Sequence, residues 1–109
     1  MAARIDIQSL EWKPVRPDVA RGVHGKTLLD DSIKVTYTKV EPGGSFSPHQ
    51  DEYEHLLYFL SGNGIVGVED RQFDIHAGLA VSVAAGESHF YQNTGDDDLI
   101  LLTMNIPMP

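Results

Sequence analysis

The chain has 109 residues and no cysteine, so it makes one domain whose core holds without disulfides, and thiolate metal sites are excluded. Sixteen Asp and Glu against eight Lys and Arg give a net charge of −8, which disfavours nucleic acid and anionic membrane surfaces as partners. The opening residues lack the apolar run of a secretory signal and no stretch reaches transmembrane length, so a cytoplasmic protein is expected.

Helical periodicity is nearly absent. Short β-branched and aromatic runs instead alternate with turn residues, the rhythm of an all-β barrel. Residues 1–25, with Pro14 and Pro17, read as an N-terminal arm or first edge strand. Residues 32–40 alternate, with Ile33, Val35 and Tyr37 on one face and Lys34, Thr36 and Thr38 on the other. Glu41-Pro42-Gly43-Gly44 is expected to break that strand. Residues 55–60 (HLLYFL) are apolar on both faces, as an interior strand should be, and end at the tight-turn signal Ser61-Gly62-Asn63-Gly64. Further strands are predicted over 65–68, 79–83, 88–93 and 99–106, divided by Glu69-Asp70, Ala85-Gly86 and Thr94-Gly95-Asp96. The acidic run 96–98 reads as a solvated loop. About eight strands closing on themselves leave no exposed edge.

Of five histidines, His49 and His55 lie within seven residues of one another together with Asp51, and His89 stands in a separate strand. His49 and Asp51 share a parity, so both point to one face of an extended segment. His89 shares its face with Tyr91 and Asn93. Three imidazoles and a carboxylate converging in a barrel make a four-donor site for manganese, iron(II), nickel, cobalt or zinc. On spacing alone a polar loop decorated by His49, Asp51 and His55 is equally admissible. His24 and His76 sit in turn-rich segments and are read as non-ligands, and Gln50, Glu52 and Glu54 as facing water, with Glu54 the substitute ligand should Asp51 not serve.

Two spacings go further. Gly43-x5-His49-x-Asp51-x3-His55-x6-Gly62 resembles the first cupin motif, G-x5-H-x-H-x3,4-E-x6-G, and Gly78-x5-Ala84-x-Gly86-x2-His89-x3-Asn93 resembles the second, G-x5-P-x-G-x2-H-x3-N. Motif one then spans 43–62 and motif two 78–93 within a single cupin domain over 1–109. The resemblance implies a double-stranded β-helix, the cupin jelly-roll barrel, and implies a metal held by His49, Asp51, His55 and His89. Histidine in the glutamate place, at His55, is similar to small monocupins with a four-histidine site; here Asp51 replaces one imidazole. The carboxylate favours a harder cation, with manganese or iron expected first. Ala84 in the proline place is a turn change without evident chemistry.

What the resemblance implies for activity is a metal-dependent enzyme on a small, bidentate organic molecule, with dioxygenase-like oxidative chemistry expected first. The alternatives are a non-redox isomerase, cyclase or decarboxylase, and a ligand-binding barrel without turnover. Tyr91 is the candidate to hydrogen-bond substrate or act as an acid, while Phe46, Leu57 and Phe59 line the mouth or pack the core. A homodimer is expected, because the apolar strand 99–106 and the proline-bearing arm leave more apolar surface than one thin barrel hides.

Overall fold

The computed structural model describes residues 3–107. A short 3-10 turn (Ile7–Ser9) precedes nine strands: β1 (Lys13–Pro14), β2 (Ala20–Asp30), β3 (Lys34–His49), β4 (Glu54–Ser61), β5 (Gly64–Val68), β6 (Arg71–Ile75), β7 (Ala80–Val83), β8 (His89–Asn93) and β9 (Leu99–Ile106). All pairings are antiparallel, in the order β6-β5-β8-β3-β9-β4-β7, with β2 also on β3 and β1 on β2. The sheet curls into the jelly-roll barrel expected from the sequence. No helix among the described residues is long and apolar enough to cross a membrane.

β3 is the strand that folds the sheet over. Its first half, from Lys34 to Val40, pairs with β9; its second half, from Ser45 to His49, pairs with β8. The expected break at Glu41-Pro42-Gly43-Gly44 is therefore a bulged corner within one long strand. Four residues there stand opposite Gly22 alone, between the pairs Val23–Val40 and Arg21–Ser45. Such an insertion bends a strand without ending its ladder. Gly43 has φ +79° at this corner, a conformation that favours glycine.

Residues 1–25, read as an arm or a first edge strand, contain both β1 and the first half of β2, which pairs along most of β3, and β6 went unpredicted. β6 is an edge strand with three of its five residues exposed, and only Phe73 and Ile75 mark its inner face, too short an alternation to stand out. β4 does lie between two partners, β9 and β7, yet its outward face is only half covered: Leu56 and Leu60 are half-buried and Tyr58 is exposed.

The barrel interior changes character along its length. Inward residues of β3 run Lys34, Thr36, Thr38, Val40; the neighbouring β9 runs Asn105, Thr103, Leu101, Leu99; and β4 runs His55, Leu57, Phe59. One end is thus filled by Val40, Phe59, Leu99 and Leu101, each fully buried, with Val66 of β5 against them. The other end is polar and open. The apolar face of residues 33–37 points outward instead, where Leu56, Met104 and Val35 form one row across three strands and Tyr58, Leu102 and Tyr37 the next. Trp12 stacks on Tyr37, its ring flanked by the Lys26 and Lys39 ammoniums, each 4.5 Å from the centroid, which pins the N-terminal segment to this outer face.

Candidate metal centre

The open end of the barrel collects the residues of both motifs. His49 ends the second half of β3 and stands opposite His89, the first residue of β8; His55 is the second residue of β4. Asp51 lies in the loop between, and its backbone oxygen accepts a 2.8 Å hydrogen bond from the Gly86 N–H, so the motif-two turn fixes the motif-one loop.

The imidazoles are oriented by their own backbone. His49 Nδ1 donates to the Ser47 carbonyl at 2.9 Å and His89 Nδ1 to the Glu87 carbonyl at 3.0 Å. Each neutral ring then keeps its lone pair on Nε2. All three Nε2 atoms face one carboxylate oxygen: Asp51 Oδ2 lies 3.2 Å from His49, 3.2 Å from His55 and 3.8 Å from His89. That oxygen is buried and has no hydrogen-bond donor. His49, Asp51 and His89 offer ligand atoms all within 4.8 Å of one another, a group able to hold a metal ion. His55 lies just outside that tightest trio but contacts the same oxygen.

Electrostatics favour the neutral form of His55 and His89. Burial pushes the His55 imidazole down to about 4, helped by His89, and opposed by the Asp51 carboxylate. Burial likewise lowers His89, against its hydrogen bond to Glu87. An unprotonated imidazole is the form that ligates metal. With Nδ1 of His49 and His89 donating to the backbone, their Nε2 lone pairs face the buried Asp51 oxygen, a repulsion that a divalent cation among them removes. The donor set of three nitrogens and one oxygen fits such an ion.

Arg16 escaped the sequence reading. Its guanidinium donates to Asp51 Oδ1 at 3.0 Å, which leaves Oδ2 as the oxygen turned to the histidines. Arg16 has φ +40°, a left-handed conformation uncommon outside glycine, and its carbonyl accepts from the Val19 and Ala20 N–H groups. Nothing in the local pattern around Pro14 and Pro17 signals a partner thirty-five residues away.

The remaining expectations sort as follows. Glu54 is exposed and outside the cluster, as are Gln50 and Glu52. His24 pairs with Glu41 at 2.9 Å and His76 donates to the Ala77 carbonyl, both away from the cluster. Asn93 of motif two is structural: its amide donates to the Val40 and Asp97 carbonyls and accepts from Gly95 N–H, tying the β8–β9 turn to β3. Phe46, Leu57 and Tyr91 wall a cavity of about 640 Å³ that also holds His49, Asp51, His55 and His89. Phe59 does not reach it and belongs to the core, edge-on to Tyr91 at 6.4 Å. Phe46 stacks on His49 at 4.3 Å and Tyr53 lies 4.7 Å from His55, so aromatic rings hold both imidazoles. Burial raises the Tyr91 phenol far above its ordinary range, so it keeps its proton.

The profile of the cupin domain family matches residues 36–105 of this chain. The chain is a cupin. An oxalate-binding protein of Thermotoga maritima is 36% identical over 69 residues, which are 62% of this cupin and 57% of that relative. Among solved structures, a polyketide cyclase of Streptomyces resistomycificus superposes with a TM-score of 0.87 at 26% identity, covering 96% of this cupin and 79% of that chain. A predicted oxalate decarboxylase of Thermotoga maritima gives 0.88 at 24% identity, over 97% and 100% of the two chains, a likeness of fold.

Proposed function

We propose that this cupin is a metal-dependent enzyme on a small, oxygen-chelating organic molecule, with His49, Asp51, His55 and His89 holding one divalent ion. The observation that carries this is the buried Asp51 Oδ2, without a hydrogen-bond donor and faced by three imidazole nitrogens. An ion held there supplies Lewis acidity and anchors an enolate, hydroxy acid or diketone as its anion. The chain's own residues do the rest. Arg16 fixes the Asp51 carboxylate so that one oxygen is free for the ion. Phe46 and Leu57 keep water from the bound molecule. Tyr91, kept protonated by burial, serves as a hydrogen-bond donor in the cavity rather than as a base.

Between reaction classes, the likeness to a polyketide cyclase supports the non-redox one, and the oxalate-binding relative supports a small carboxylate as the ligand. Oxidative, dioxygenase-like cleavage is the competing reading, and manganese or iron serves either. Elemental analysis of the purified protein, followed by oxygen uptake and product detection against diketones, catechols and oxalate, separates them. We expect one divalent ion per chain and substrate consumption without oxygen uptake. Stoichiometric oxygen uptake would move the assignment to a dioxygenase, and bound ligand with no turnover to a binding protein. Protein that neither contains nor takes up a divalent ion would end the metal-centred reading.

We further propose that a second copy covers the outer face of β3, β4 and β9. The row Leu56–Met104–Val35 and the neighbouring Tyr58 and Leu102, beside the Tyr37 that Trp12 already covers, hold no charged residue in a chain of net charge −8, so two copies meet there with least repulsion. Sedimentation equilibrium at micromolar concentration is expected to give twice the 12.0 kDa chain mass, and Leu102→Glu to return it to the monomer. A wild-type monomer would rule this interface out.

A further inference from the structure

The polar half of the barrel is its open end, and the interior of a small barrel is either filled by side chains or holds one small ligand. Here Lys34 of β3, Asn105 of β9 and His55 of β4 form one inward cross-strand row, and Thr36, Thr103 and Leu57 the next. All six line the cavity. Thr103 Oγ1 reaches the Thr36 carbonyl and the Thr38 hydroxyl only at 3.5 Å each, at the limit of hydrogen bonding, so its hydroxyl is weakly engaged.

Charge is distributed unevenly in the same place. The cavity is lined by three of the chain's eight cations, Lys13, Arg16 and Lys34, but by only two of its sixteen carboxylates, Glu11 and Asp51. Arg16 is committed to Asp51. Among the described residues no ion pair engages Lys34 or Lys13. In a strongly acidic protein this leaves unneutralised positive charge at the cavity rim. The register also sets a distance. Lys34 is two inter-strand steps from His55, about 10 Å between Cα atoms at about 4.8 Å per step. A cavity of about 640 Å³ exceeds the needs of a minimal diacid and suits a ligand with two separated polar ends.

We propose that Lys34, with the Asn105 amide and Thr103 hydroxyl beside it, binds a carboxylate carried at the far end of a substrate whose chelating oxygens sit at the His/Asp cluster. The substrate class is thus an elongated carboxylic acid with a chelating group, not a minimal diacid. This rests on the metal-centred reading above, and the test separates the two.

Titration calorimetry on metal-loaded protein compares catechol with 3-(3,4-dihydroxyphenyl)propionate, which adds a carboxylate beyond the chelating pair. Wild type is expected to bind the carboxylated probe about tenfold more tightly, as a charge-assisted hydrogen bond provides. Lys34→Gln is expected to bring that ratio close to one, and Lys34→Arg to retain it. A ratio unchanged by Lys34→Gln, or no preference in wild type, overturns the proposal. Catechol failing to bind metal-loaded wild type would count against the cluster as a chelation site, and there 3-phenylpropionate, which cannot chelate, reads the rim alone. Its binding to metal-free wild type, lost in Lys34→Gln, sustains the carboxylate subsite; its failure to bind wild type overturns it.

Discussion

Replacing Asp51 with alanine is expected to lower the affinity for a divalent ion by more than about 100-fold, the upper range for changes around a metal's ligands. The reason is geometric. Asp51 contributes the one anionic oxygen on which His49, His55 and His89 converge, and its second oxygen is already held by Arg16. Without it three neutral imidazoles remain, and the ion must recruit water to complete its shell. His89→Ala is expected to give a comparable loss, read by elemental analysis after dialysis against a defined metal concentration. If Asp51→Ala keeps its metal while the histidine variants lose theirs, the site is a three-histidine one and Asp51 only supports it. His24→Ala and His76→Ala serve as controls, since both rings bond elsewhere. Equal metal loss from either control would show the ligand assignment to be wrong.

Phe59→Ala is expected to destabilise the fold by about 3–5 kcal/mol, the range for emptying a fully buried aromatic site. Phe59 has no exposed surface, sits between Leu57 and Leu101 in the apolar half of the barrel, and supports Tyr91 edge-on. Against a total stability of roughly 5–15 kcal/mol for a domain of this kind, that loss is a large share. Urea unfolding should show a much lower midpoint with the slope retained. Tyr58→Ala, one residue earlier and facing outward at 37% exposure, should lose far less in the monomer. A loss at Phe59 below about 1 kcal/mol would mean the apolar half is not packed as described.

The parts of this protein legible in its sequence are those whose physics is local. Period-two alternation placed Lys34, Thr36 and Thr38 on one face and Val35 and Tyr37 on the other, because successive side chains of a strand point oppositely whatever the strand pairs with. The spacing of His49, Asp51 and His55 put three donors within reach of one another across a single loop. Their resemblance to the cupin motifs indicated His89 as the partner histidine, and the fold brings its ring to the same Asp51 oxygen.

Which face was the inside was not local. Polar Thr36 and Thr38 turned inward and apolar Val35 and Tyr37 outward, against the ordinary expectation, because the register with β9 brings Thr103 and Asn105 to the same interior. The corner at Pro42-Gly43-Gly44 looked like a strand end, since turn residues mark bends equally in a loop and in a bulge. Only the pairing of β3 with β9 before the corner and with β8 after it makes the difference. β6 had little alternation to read because an edge strand of five residues turns only Phe73 and Ile75 to the core. The contact of Arg16 with Asp51 and the row Lys34–Asn105–His55 join residues far apart in the chain. Such contacts are set by strand register, and register follows from how the whole apolar set packs at once, which no short window of sequence contains.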